Sequence, residues 1–229
     1  EILSGLVGSE MCIRDSYIGY RNFEAADAST NLVPWGIVIG GEELHNNHHT
    51  YPTSAKFSVK PYEFDICWGY IVALQKLGLA KVRKTAPKLR LGAVQPVADE
   101  KTLEAVIANR YEVMARYAQE MRRACQAEIA VLKARGADIG VLKIANRWLH
   151  RDDEKVPAEV REHLLQARAE HPILDQMHAM REELRTMWQS TTRSREQLAA
   201  DLQAWCHRAE QSGIAALHEF SLRLRAAQV

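Results

Sequence analysis

The 229-residue sequence has no run of about 18 consecutive apolar residues, so no segment reads as a self-sufficient transmembrane helix. It has only four cysteines, at positions 12, 67, 125 and 206, without regular spacing. That excludes a disulfide scaffold and suits a reducing compartment. It has no excess of charge of either sign: 30 Lys+Arg stand against 29 Asp+Glu, for a net charge of +1. Bulk charge therefore excludes a strongly basic nucleic-acid binder and an acidic-tail protein. With 47% hydrophobic and 26% charged residues, the chain is not a highly charged disordered one either. Its length allows one large or two modest domains, with enough apolar mass for a core.

The first residues stand apart. Leu6-Val7-Gly8-Ser9-Glu10-Met11-Cys12-Ile13-Arg14-Asp15-Ser16 resembles the translation of a sequencing adapter carrying a transposase mosaic end, and every residue from Leu6 to Ser16 matches. Residues 1–5 read as the same read-through, so 1–16 are set aside as an adapter-derived artefact. Without Glu1, Glu10, Arg14 and Asp15, the remaining 213 residues hold 29 basic and 26 acidic side chains, a net charge of +3. Tyr17 then begins mid-sequence, and the expectation is the C-terminal piece of a longer protein.

The rest is expected to be all-α. Residues 17–30 read as a loop, and Gly41 to His49, without β-alternation, as helical. Thr50-Tyr51-Pro52-Thr53 is a turn. A helix is expected from Pro61 to Leu79, with proline in its first turn. Lys81, Arg83, Lys84, Lys88 and Arg90, with Pro87 and Pro96, mark a basic linker over 81–98. Asp99 is the expected N-cap of a long helix. Its apolar residues, from Leu103 through Val106, Tyr111 and Tyr117 to Leu132, are three or four apart except for one five-residue step. Gly136 ends it. Further helices are expected near 138–150, 157–169, 172–189, 195–210 and 214–227, with a capping box at Ser194 and Gln197. No strand is expected after residue 60.

One constellation carries chemistry: His45-Asn46-Asn47-His48-His49. Three of the chain's nine histidines fall within five positions. On a helix, positions i, i+3 and i+4 share a face, so the three imidazoles can converge on one metal or on two adjacent ones. Neutral imidazole suits iron, zinc, copper and nickel. The alternative is a solvated helix end with incidental histidines. A structural zinc site would want more cysteine than Cys67 alone, whereas a three-histidine catalytic zinc site stays open.

The segment Gly41-Glu42-Glu43-Leu44-His45-Asn46-Asn47-His48-His49-Thr50-Tyr51-Pro52 resembles the third histidine box of membrane fatty acid desaturases of the acyl-CoA desaturase type. Asn31-Leu32-Val33-Pro34-Trp35-Gly36, Tyr62-Glu63-Phe64-Asp65 and Trp68 fit as well, so the resemblance covers residues 17–80. It implies that His45, His48 and His49 are ligands of a diiron centre on the cytoplasmic side of a membrane. The centre would use O₂ to insert a double bond into an acyl chain, bound as acyl-CoA or acyl-lipid. Electrons would come from a ferredoxin- or cytochrome-like donor. Asn31, Glu42, Asn46 and Asn47 are candidates for positioning the ligands.

The family also needs two earlier boxes, HxxxxH and HxxHH, a further histidine and about four transmembrane helices. None is in this chain, so the fragment alone is expected to be inactive and to hold an incomplete iron site. A related diiron lipid hydroxylase, or a helical interaction module with a zinc-binding or incidental histidine cluster, is the alternative.

The segment 61–79 has two readings: a core-packing helix, or a helix on a membrane interface carrying Tyr62, Trp68 and Tyr70. Residues 99–229 read as a helical extension for docking or self-association, with no nucleic-acid partner expected. There Cys125 and Cys206 read as packed, and His150 with Asp152-Asp153-Glu154 as a solvated loop. Ser194 to Leu224 resembles the tails of some transposases, and no functional expectation is drawn from it.

Overall fold

A computed structural model of the protein describes residues 19–25, 27, 29–136, 139–190 and 192–228. The adapter-like residues 1–16, and Tyr17, lie outside them. The chain divides into two compact units, Glu1–Lys88 and Leu89–Val229. The described residues are predominantly helical, in keeping with an all-α class. No helix among them is long and apolar enough to cross a membrane.

The first unit is a short-element assembly. An isolated antiparallel bridge joins Tyr20 to Asn31. Strand β1 (Trp35–Gly36) pairs in parallel with β2 (Phe64–Asp65), Trp35 opposite Phe64 and Gly36 opposite Asp65. Between them a 3-10 turn at Glu42–Leu44 runs into helix α1 (His45–Thr50). Gly41 precedes the turn at φ 92°, a left-handed conformation that glycine adopts without steric cost. Gly36 is needed for a different reason: a Cβ there would sit 2.8 Å from the Gly41 Cα.

Helix α2 spans Ile66–Lys76 and does not start at Pro61. Asp65 caps it by accepting the Trp68 N–H at 3.0 Å, while the Glu63 carboxylate holds the preceding turn through the N–H groups of Val59 and Lys60. No residue of α2 is buried, which sets aside the core-packing reading of this segment.

The second unit is a helical bundle. Asp99 caps α3 (Glu100–Ala108) through the Thr102 N–H at 2.8 Å. The single long helix of the sequence reading is in fact two. The break falls at Asn109, where the apolar spacing takes its five-residue step, and α4 (Arg110–Ala134) follows. Asn109 is buried, and its side chain donates to the Ala105 carbonyl, the local competition that ends a helix. Then come α5 (Gly140–Trp148), α6 (Ala158–Glu170), α7 (Pro172–Gln189), α8 (Arg195–Gln211) and α9 (Ala215–Arg225). Both halves of the Ser194–Gln197 capping box are formed.

The core collects one face of each helix, including Leu103, Tyr117, Met121, Leu174, Leu184, Leu202, Trp205 and Phe220. Cys125 and Cys206 are packed within it; burial pushes their thiols up to about 12 and about 11.

Three expectations fail here. Strands do occur after residue 60: besides β2, β3 (Arg90–Leu91) pairs antiparallel with β4 (Ala227–Gln228). The supposed linker over 81–98 is accordingly divided. From Leu89 onward it belongs to the bundle, with Gln95 N–H donating to the Arg225 carbonyl and Ala98 N–H to Gln203. The loop after α5 is also not simply solvated. His150 is buried against Arg122, and Asp152 accepts a 2.7 Å bond from buried Arg181.

Candidate metal centre

A six-residue helix made of His-Asn-Asn-His-His-Thr has no apolar face with which to dock. It is held instead by saturating the polar groups on its inner side. Asn46 accepts the N–H groups of Asn22 and Phe23 and donates to the carbonyls of Phe23 and Ser29. Asn47 donates to Glu63 at 2.8 Å and to the Phe57 carbonyl, and accepts from Asn22 at 2.8 Å and Asn31 at 3.2 Å. Asn31 in turn accepts the Asn47 N–H. Thr50 closes the last turn onto the Asn46 carbonyl.

Glu63 is the hub of this network. One carboxylate oxygen accepts from Tyr20 and Asn22, the other from Asn47, Val59 and Lys60. Burial raises the pKa of the Tyr20 phenol, and the Glu63 carboxylate it donates to raises it further. A buried network with every member paired is rigid. Asn31, Asn46 and Asn47 therefore fix the helix and do not themselves meet the imidazoles.

The outer face carries His45, His48 and His49. Their ring centroids are 4.2 Å apart for His45–His49, 5.8 Å for His48–His49 and 6.4 Å for His45–His48. Two of the rings are oriented by carboxylates. His45 Nδ1 lies 3.2 Å from Glu42, and His49 Nδ1 is paired with Asp27. Asp27 is held by Ser29 on its other side. Burial opposes its ionisation, but the bonds from Ser29 and His49 prevail and keep it below the usual carboxylate range.

His48 differs. Its Nδ1 is buried with no hydrogen-bond partner, and its ring stacks at 4.6 Å on Phe57. Burial lowers its pKa and the two neighbouring histidines add to that, outweighing the opposing pull of Glu42, which favours the neutral imidazole. Neutral imidazole is the ligating form.

The donor types present are ones that metals accept. Two histidines have Nδ1 paired with a carboxylate, an arrangement common around metal-ligating histidine. The third has an unsatisfied buried nitrogen. Among the described residues, however, no group of three or more His, Cys, Asp or Glu side chains is placed to hold a metal ion. The three rings spread along one face of α1.

Of the residues singled out from sequence, Glu42 touches a histidine, and Asn31, Asn46 and Asn47 act one layer behind. Asp27 and Glu63 escaped sequence reading as parts of the site. Asp27 sits in a polar loop 22 positions before His49, and no local spacing links the two.

Comparison with known proteins divides the chain in a similar way. Residues 96–228 match the family model described as Transposase. That is more than half of the chain, and the chain belongs to that family. The Ser194–Leu224 resemblance lies inside this match.

The chain is also 49% identical over 69 residues to the sn-2 palmitoyl-lipid 9-desaturase of Nostoc sp. (strain 36), covering 30% of this chain and 24% of that protein. It is 41% identical over 70 residues to the sn-1 stearoyl-lipid 9-desaturase of Anabaena variabilis, covering 31% and 26%. To the icosanoyl-CoA 5-desaturase of Limnanthes douglasii it is 37% identical over 78 residues, covering 33% and 22%. It therefore carries a desaturase-related segment and spans about a quarter of the length of these relatives. No solved structure matches.

Proposed function

We propose that residues 17–80 are one edge of the metal site of a fatty acid desaturase, with His45, His48 and His49 as three ligands of a diiron centre. The observation that carries this reading is the division of labour on α1: Glu42 and Asp27 tie back Nδ1 of His45 and His49, while His48 keeps a buried nitrogen without a partner. The identity to named desaturases supports it.

When bound, the iron pair supplies O₂-dependent removal of hydrogen from an unactivated acyl methylene. The part played by this chain is positional. The Asn31–Asn47–Glu63 network fixes the helix axis, and Glu42 and Asp27 set the rotation of two rings. The packing of His48 against Phe57 keeps water from one side of its ring. The remaining ligands, the acyl site (acyl-CoA or acyl-lipid) and the contact for a ferredoxin- or cytochrome-like donor belong to the intact membrane protein. This fragment is inactive alone. For the helical unit, which matches the Transposase family model, we propose docking or self-association.

The test is made in the intact parent, expressed with its electron donor. His48→Ala abolishes the double-bond product in the cellular fatty acid profile. Unchanged product means that this box is not the metal site. The upstream reading frame supplies a second check, since the proposal requires two further histidine boxes and about four membrane-spanning helices there.

A further inference from the structure

Between the end of α5 and the first turns of α7, within the second unit, lies a cavity of about 370 Å³, inside the range of about 300 to 1,000 Å³ usual for small-molecule sites. It comes from how α6 is built. The thirteen residues of that helix bury only Leu164 and Ala167, so it packs on the core over a narrow strip. Arg161, Leu164, Leu165 and Arg168, at i, i+3, i+4 and i+7, share one face of the helix, and all four line the cavity. Leu149, the C-cap of α5, and Val156 are buried and add apolar wall. Leu165, 62% exposed, marks the open side.

The polar lining carries more positive than negative charge. Arg161 Nε donates to the Val156 carbonyl at 3.3 Å, and Arg168 Nε donates to Asp175 at 2.7 Å. A guanidinium has five N–H donors in a rigid fork, so a bond at Nε fixes how the rest of the fork is presented. From α7, buried His178 pairs through Nε2 with Asp153 at 3.3 Å. Burial and then Arg168 lower the His178 pKa, against the pull of Asp153 and Glu182, which favours the neutral imidazole. Two guanidinium groups thus stand against one carboxylate, and the Asp153 carboxylate is itself mostly in water. Such a lining attracts anions. We propose that the cavity binds a small organic carboxylate with an apolar body, its charge held by Arg161 and Arg168 and its body set against Leu149, Val156 and Leu164. Inorganic phosphate would satisfy the guanidinium groups but leave the apolar wall uncovered, and an apolar alcohol would do the reverse. The site uses no residue of the histidine cluster, so it stands or falls apart from the metal reading.

The test is isothermal titration calorimetry of the whole chain with octanoate, 1-naphthoate, 1-octanol and inorganic phosphate. One carboxylate per chain is expected to bind, with 1-octanol and phosphate each about tenfold weaker or more. Octanoate alone would assign a chain as the apolar body and 1-naphthoate alone a ring; either upholds the proposal. Arg161→Gln and, separately, Leu165→Asp, both at exposed positions, are each expected to weaken carboxylate binding about tenfold with unchanged circular dichroism. Arg195→Gln on α8, exposed and outside the lining, is expected to leave it unchanged. Three results would overturn the proposal: neither carboxylate binds, phosphate or 1-octanol binds as tightly as the carboxylates, or binding is indifferent to Arg161→Gln or to Leu165→Asp.

Discussion

Among the described residues of the first unit, the buried apolar side chains are Phe23, Ala25 and Leu44, set against twelve buried polar or charged ones. In the second unit thirty apolar side chains are buried with six polar ones. The first unit is organised by hydrogen bonds converging on Asn46, Asn47, Glu43 and Glu63, and the second by packing around Tyr117, Trp205 and Phe220. The difference teaches what each is for. A polar network is directional and fixes the bearing of a short helix, which a set of ligands needs. An apolar core is non-directional and gives stability over a large unit without specifying any one side chain's bearing.

The largest effect that would break this comparison is expected in the bundle. Trp205 is fully buried, donates to the Met180 carbonyl at 2.9 Å and packs on Phe220. Trp205→Ala is expected to cost about 4 kcal/mol of the second unit's stability, read by urea unfolding with near-ultraviolet circular dichroism. A cost under about 1 kcal/mol would show that the core is not what holds this unit.

The matching substitution in the first unit is Glu63→Ala, which strands the donors of Tyr20, Asn22, Asn47, Val59 and Lys60. It is expected to cost about 3 kcal/mol. Hydrogen exchange should quicken across residues 19–65 while α3 to α9 keep their protection. Unchanged exchange in 19–65 would deny the network its role.

Acid sharpens the contrast. His150 is buried against Arg122, and burial, followed by the charges of Arg122, Arg151 and Arg181, lowers its pKa from 6.5 to about 3. The unfolded chain therefore binds a proton that the folded bundle refuses. The stability due to neutral His150 is complete above pH 6.5 and is lost as pH falls from there towards 3, at about 1.4 kcal/mol per pH unit. In the first unit Glu43 acts lower on the scale. Burial opposes its ionisation, but the backbone N–H groups prevail and hold it below 4.5, so its contribution is lost only as pH falls below that value. Unfolding titrations should show the bundle weakening as pH falls below 6.5, with His150→Gln flattening its slope. A bundle indifferent to pH between 6.5 and 4 would contradict this assignment.

The smallest effects are at helix ends. Ser194→Ala removes half of a capping box and Asp99→Ala a cap of α3, each at about 1 kcal/mol in the thermal midpoint of the bundle.

How much of this could be read in the sequence follows from the range of the forces. The histidine face of α1 was legible because helical spacing alone puts positions 45, 48 and 49 together. Asp99, the Ser194 box and the ends at Gly136 and Gly213 were legible because capping is local. The break at Asn109 showed as a five-residue step, though its meaning needed the side-chain bond to Ala105. Pairings across long separations left no signal. Glu63 reaches Tyr20 over 43 positions, and β3 meets β4 across almost the whole bundle with two residues each, too short for any alternation. Helix α2 read equally as a core-packing or an interfacial helix, and its position at the surface of the first unit is a tertiary fact.

The measurement that bears most directly on the central claim is an anaerobic Fe(II) titration of the chain and of His48→Ala, counted by mass spectrometry after gel filtration. Three histidines on one edge predict fewer than two tightly held irons per chain, and further loss in His48→Ala. A clean two-iron stoichiometry that survives His48→Ala would contradict the account.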